Sequence, residues 1–179
     1  MEKSRRIRLK SEVLWRNIAT DMDALDIRIV EALQRRGDLT HAELAETVNS
    51  TSSTCLRRVR VLQESGVLTA NVYVADAARL GRPVMAVITA TTKENTRADR
   101  EKLASCIRAE PSISCAWGVT GEVDAVLFGH FRDMAEYQEV CDRIFDDVGS
   151  VVRYTTHFVS ETYKSETAIS VDVVQSMLD

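Results

Sequence analysis

The chain has 179 residues, 45% of them hydrophobic and 28% charged, with a formal net charge of −4. This is the composition of a globular protein with room for one medium domain or two small ones, and it excludes disorder throughout. No run approaches the roughly 18 apolar residues of a membrane span, and the N-terminus MEKSRRIRLKSEVLW lacks the apolar stretch of a secretory signal, so a cytoplasmic protein is expected.

The charge is divided unevenly. Residues 1–75 carry 12 Lys and Arg against 10 Asp and Glu, which leaves 11 against 17 for residues 76–179. The first twenty residues alone hold 6 basic and 2 acidic side chains. A mildly basic front half joined to an acidic back half suggests two tasks. The cysteines (Cys55, Cys106, Cys115, Cys141) and histidines (His41, His130, His157) have no metal-ligand spacing, and the thiols fall on apolar faces of predicted elements. With no nucleophile–base pair and no phosphate loop either, neither an enzyme nor a bound metal or cofactor is expected.

In chain order, Asp23 is placed to cap a helix with apolar positions Leu25, Ile29, Ala32 and Leu33, ended by Gly37. In THAELAETV, Thr40 and Glu43 have capping-box spacing, Leu44 and Val48 face inward, and Ala45 permits close approach of a neighbouring helix. Asn49 suits the left-handed conformation of a sharp turn. Thr51 then caps a third helix that runs to about Glu64 and stops at Ser65-Gly66. The last two helices and their short turn form a helix-turn-helix.

The stretch Thr51 to Gln63 contains Arg57, Arg58 and Arg60 and no carboxylate. At about 100° per residue, Cys55, Leu56, Val59 and Leu62 fall on one side. Ser53, Arg57 and Arg60 fall on the other, with Arg58 on the flank. Such a face suits the major groove of DNA: Arg57 and Arg60 to read bases, Arg58 and the N-terminal cations to hold phosphates. The hydroxyls of Thr51, Ser52, Ser53 and Thr54 are placed to meet bases or phosphates. VLTANVYVAD, Val67 to Asp76, reads as a short strand, and ARLGRP as a linker.

The back half alternates its periods. Val84 to Thr92 reads as a strand. A helix in ADREKLASCIRAEP turns Leu103, Ala104 and Ile107 inward and ends near Pro111. Ile113, Cys115, Trp117 and Val119 alternate in a second strand, and Ala125, Leu127, Gly129 and Phe131 in a third. Asp133 caps a helix with the stripe Met134, Tyr137, Val140, Cys141, Ile144 and Val148, and Val151 to Val159 reads as a fourth strand. The order β-α-β-β-α-β is ferredoxin-like, an antiparallel sheet with both helices on one face. The other face needs a cover, for which a two-fold partner is the natural candidate. The C-terminal piece suits either a partner subunit or a short helix from Val171. The expected class is α+β: a basic extension at 1–21, a three-helix winged helix-turn-helix at 22–75, a linker at 76–83, a βαββαβ domain at 84–161 and a tail at 162–179.

Taken together, LDIRIVEALQRRGDLTHAELAETV, TCLRRVRVLQESGVL and VTGEVDAVL, in this order, resemble the Lrp/AsnC (feast/famine) transcription regulators over about Met22 to Glu161. The resemblance implies a nucleoid-associated regulator that binds double-stranded promoter DNA. It also implies a homodimer that commonly builds to an octamer, and a RAM-like effector domain that senses a small metabolite, most often an amino acid. It places effector contacts on the turn Val119, Thr120, Gly121, Glu122 and Asp124, and on Met134. The amides at Gly121 would take a carboxylate, and Glu122 or Asp124 an ammonium. Ser52 and Thr54 stand where the family often has proline, and Ser50 where an apolar residue is usual. A ligand-independent architectural DNA-binding protein is the alternative function.

Overall fold

The computed structural model describes residues 22–92, 96–146 and 151–175, which belong to two compact units. One holds the chain up to Tyr73 together with the segment from Ser165 onward, and the other spans Val74–Lys164. The basic extension and Val148 lie outside the described residues.

The first unit is built on α1 (Ala24–Arg35), α2 (His41–Thr47) and α3 (Ser52–Glu64). Each begins at the residue whose side chain satisfies otherwise orphaned amides. Asp23 Oδ1 accepts from the amides of Leu25 and Asp26, while Asp26 Oδ2 accepts from the amide of Asp23. Thr40 and Glu43 form the same reciprocal box at α2, and Thr51 Oγ1 accepts from the amide of Thr54 at α3. Asn49 has φ +53 between α2 and α3, and Gly66 has φ +77 after α3, so both sharp turns sit where left-handed backbone is tolerated. One stop signal differs: α1 ends at Arg36, which is already extended. Gly37 instead permits close approach. Asn71 donates to its carbonyl at 3.0 Å, and a Cβ there would lie 2.7 Å from Asn71 Oδ1.

Ile29, Leu44, Ala45, Val48, Cys55 and Leu62 form the core of this head. Leu56, expected on the inner side of α3, is instead 55% exposed, and Val61 is also exposed. The inward arc is centred on Cys55 and Leu62, and Leu56 lies about 100° from Cys55, outside it.

Arg58 overturns a larger expectation. Its guanidinium is turned inward, 2.6 Å from Asp23 Oδ2 and 2.9 Å from Asp26 Oδ2. Asp26 is itself buried. Arg58 is therefore a brace between α3 and the N-terminus of α1, not a phosphate contact. The expected strand over 67–76 is likewise missing: this stretch has no ladder partner among the described residues, and Val72, Tyr73 and Val74 are exposed. A strand needs a neighbour to satisfy its backbone, and the described residues offer none.

The second unit opens with a compact turn in which Asp76 Oδ1 accepts from the amides of Ala78 and Arg79 and the amide of Arg82 reaches Ala77 O. Next come β1 (Val84–Thr92), α4 (Arg97–Ala109), β2 (Ile113–Gly118), β3 (Ala125–Phe131), α5 (Met134–Cys141, continued by a π-helical turn to Asp146) and β4 (Val151–Phe158). The sheet order is β2-β3-β1-β4 and every pairing is antiparallel. Ala86, Ile88 and Ala90 of β1 and Ala125, Leu127 and Phe131 of β3 pack with Leu103, Tyr137, Val140, Cys141, Ile144 and Phe145 of the helices. Tyr137 hydrogen-bonds Thr156, and burial pushes its phenol up to about 12, so it stays neutral and serves packing. Met134, expected in the buried stripe, is 51% exposed at the first turn of α5.

Arg82 ties the linker to this unit. Its guanidinium donates to Ser112 Oγ and to the carbonyl of His130 and pairs with Glu136 at 3.1 Å. On the opposite sheet face, Trp117 of edge strand β2 is 52% exposed and makes an edge-to-face contact with Phe128.

Removing Arg58 leaves the buried Asp26 carboxylate without its cation. Arg58→Ala is expected to lower the opening free energy of α3, read by native-state hydrogen exchange, by about 1–3 kcal/mol. Arg57→Ala, at an exposed site, stays within about 0.5 kcal/mol; equal losses for the two would exclude the brace. Acid is expected to attack the same place. Burial alone would raise the Asp23 carboxyl, but the Asp26 amide, the Arg58 charge and the Leu25 amide outweigh it and hold it below the ordinary aspartate value. A carboxyl lowered on folding contributes fully above its unfolded value and loses that contribution as pH falls below it. Protection of α3 should therefore decline from about pH 4 downward, less steeply in Arg58→Ala.

Candidate nucleic-acid interface and effector turn

On α3 the structure separates side chains that compose one basic run in the sequence. Arg57 is exposed and pairs with no carboxylate among the described residues. Arg60 meets Glu64 one turn on at 2.8 Å, with both side chains well exposed. A solvated pair of this kind is worth little, so a stronger anion displaces Glu64 readily. Arg58 points the other way, into its brace. The hydroxyls divide too. Thr51 is occupied by capping and donates to Thr54 Oγ1 at 2.8 Å, while Ser52 and Ser53 are exposed at the first turn. The outward face of α3 thus presents Ser52, Ser53, Arg57 and Arg60, flanked by exposed Leu56 and Val61. Its first turn holds no acidic residue. Guanidiniums in that setting can meet guanine edges or phosphates, and the flanking aliphatic groups can meet thymine methyls.

The inward turn of Arg58 had a sequence signal. It follows Cys55 by three residues and precedes Leu62 by four, which is the spacing of one helix face. Its partner Asp26 was less visible, since a third-position carboxylate reads first as part of a capping box.

In the second unit the turn after β2 is closed by the amide of Val119 donating to Asp124 O at 2.9 Å. Val119, Thr120, Gly121 and Glu122 are exposed, and Gly121 has φ +142 with open space around it. Asp124 also has a structural part. Its Oδ2 accepts from the amide of Thr92 at 2.8 Å and from the Thr92 hydroxyl at 2.9 Å, and its own amide donates to Ala90 O. That oxygen laces the turn to β1 and is spent on the fold. Glu122 makes no ion pair among the described residues. Met134 is not brought to this turn within the chain: β3 separates them, and its seven residues span about 20 Å.

Among the described residues no cluster of three His, Cys, Asp or Glu could hold a metal ion, and no helix is long and apolar enough to cross a membrane.

The chain was compared with known proteins. Residues 22–69 match a winged helix-turn-helix DNA-binding model, and residues 85–169 match the Lrp/AsnC ligand-binding domain. Over 122 residues the chain is 33% identical to the leucine-responsive regulatory protein of Rhizobium meliloti, covering 68% of this chain and 78% of that protein. Over 158 residues it is 30% identical to the transcriptional regulatory protein DoeX of Halomonas elongata, covering 84% and 96%. A transcriptional regulator of Neisseria meningitidis, solved as its L-Met complex, superposes with a TM-score of 0.81 at 26% identity, covering 86% of this chain and 99% of that one. Helix-turn-helix, ferredoxin-like sheet and relatives named as regulators rather than enzymes agree, and the chain belongs to the Lrp/AsnC family of DNA-binding transcription regulators, with a ligand-binding C-terminal domain.

Proposed function

We propose that the chain regulates promoters as a homodimer that responds to an amino acid. The observation that carries the DNA half is the outward face of α3. A carboxylate-free stretch leaves Arg57 exposed and without an ion pair among the described residues, and Arg60 meets a solvent-exposed carboxylate. Two such helices in successive major grooves, about 34 Å apart, would read a two-fold operator. Arg57 and Arg60 contact bases, Ser52 and Ser53 contact bases or phosphates, and Leu56 packs on a thymine methyl. Thr51 and Thr54 hold the helix start in place. The basic extension adds sequence-independent phosphate contacts, and the protein works at the nucleoid.

Two apolar features support a dimer. Trp117 and Phe128 lie together on the sheet face away from the helices, and Val72, Tyr73 and Val74 form an exposed apolar stretch without a strand partner among the described residues. A second copy supplies both a sheet face and a strand edge, and higher assembly toward an octamer uses further surfaces of the same domain.

The effector site lies at the turn Val119–Asp124, where exposed amides around Gly121 receive a carboxylate and Glu122 an ammonium. Met134 contributes only from a second copy, because β3 holds it away from the turn of its own chain. The L-Met complex of the Neisseria regulator supports an amino acid as the ligand class.

Arg57→Ala is expected to weaken binding to the selected operator by about 1–3 kcal/mol, with a smaller loss on random DNA, in gel-shift titrations at fixed salt. Equal losses on both DNAs would exclude base reading. Calorimetry against the proteinogenic amino acids, L-methionine first, is expected to show saturable binding that is lost in Glu122→Ala. No binding to any of them, with or without DNA, would leave the architectural reading in place.

A further inference from the structure

The carboxylate-free run of α3 ends at Glu64, the last residue of the helix. A carboxylate is poorly placed there for the helix itself. The C-terminal end carries the negative pole of the macrodipole, which favours a cation. Pairing with Arg60 does not offset this, since a basic residue four positions before an acidic one is the weaker order of such pairs. At about 100° per residue, Arg57, Arg60 and Glu64 span an arc of about 60° on the outward side. This acid therefore stands among the side chains that face DNA, where it opposes the phosphate charge.

The contact between the two side chains uses one atom of the guanidinium. Arg60 Nε donates to Glu64 Oε1 at 2.8 Å, and the terminal Nη1 and Nη2 groups make no hydrogen bond among the described residues. Glu64 thus holds the guanidinium from one side and leaves its outer edge open. Guanine presents two acceptors, N7 and O6, in the major groove, and two parallel N–H donors of one guanidinium match them. The open edge of Arg60 supplies such a pair while the Nε contact stays in place. That contact also limits rotation of the long side chain, so less freedom is lost when a base is engaged. A phosphate meets a different situation. It can draw Arg60 away, but its charge then lies close to the carboxylate it displaced, and like charges repel. A guanine edge carries no net charge and meets no such repulsion.

We propose that Glu64 is a positioning residue for base recognition: by holding Arg60 at Nε it presents the terminal guanidinium edge to a guanine and disfavours its use on phosphate. Glu64 itself touches no base; it acts through Arg60, and it sets how strongly the protein prefers its operator over other DNA. The proposal rests on the reading of Arg60 as a base contact given above.

The test uses the full chain and operators selected from random DNA, once with the wild type and once with Arg60→Ala, which identifies the base pair that Arg60 reads. Replacing G·C by A·T at that pair is expected to cost the wild type at least about tenfold in affinity. Glu64→Ala should reduce this preference below about threefold. It should bind random DNA at least as tightly as the wild type, with a steeper salt dependence, because Arg60 is released to phosphate. In the Arg60→Ala background, Glu64→Ala should leave the preference at that pair unchanged, since the positioned group is gone. Both side chains are exposed, so neither change disturbs the packed side of α3. A Glu64→Ala chain that keeps the wild-type preference, or that loses affinity for operator and random DNA by the same factor, would overturn the positioning role alone. Identical selected sites for the wild type and Arg60→Ala would overturn base reading by Arg60 and this inference with it. A wild type that binds no DNA would overturn the DNA reading as a whole.

Discussion

The guanidinium of Arg58, set between the Asp23 and Asp26 carboxylates, governs how α3 is presented. Apolar contacts through Cys55 and Leu62 bury one side of this helix, but hydrophobic packing is non-directional and tolerates small rotations. A charged group hydrogen-bonded to a carboxylate that is itself buried tolerates far less, because any slip leaves Asp26 without compensation. Asp26 also returns a hydrogen bond to the amide of Asp23, so the group that caps α1 orients α3. The outward position of Arg57 and Arg60 follows from that geometry: with the inner face occupied by Cys55, Arg58 and Leu62, the helix can only turn these two to solvent.

A similar economy operates in the effector domain. Asp124 closes its turn against Thr92 of β1, so the acid that terminates the glycine-containing turn is a structural lace. The loop residues before it, from Val119 to Glu122, remain exposed. Rigid strands thus hold out a short exposed segment. Arg82 does comparable service at the start of β1, where one guanidinium joins the linker to a hydroxyl, a strand carbonyl and a carboxylate. In each case a short polar contact fixes a place where apolar packing alone would leave play.

The regular elements were readily legible. The caps at Asp23, Thr40, Thr51 and Asp133, the left-handed Asn49, and the alternation in β1 and β3 are local features, and local features survive into the fold because they satisfy backbone groups within a few residues. Leu56, Met134 and the stretch 67–76 were misread for a common reason. Hydrophobicity signals burial only when something lies opposite: Leu56 falls outside the inward arc of its helix, and the described residues leave Met134 and Val72–Val74 exposed. Gly37 was misread because a glycine that stops a helix and one that admits Asn71 look alike in one dimension.

By itself, then, the sequence determined the order and type of the elements, the helix-turn-helix, the βαββαβ topology and the carboxylate-free character of α3, since each is encoded in spacing and capping over short distances. Only the tertiary structure decided what the charges and polar groups do. It set Arg58 inward on Asp26 thirty-two residues away, Asp124 onto Thr92, and Gln34 onto Ile169 across 135 residues. Such pairings depend on which surfaces the packed elements bring within about 3 Å, and one-dimensional spacing carries no measure of that distance.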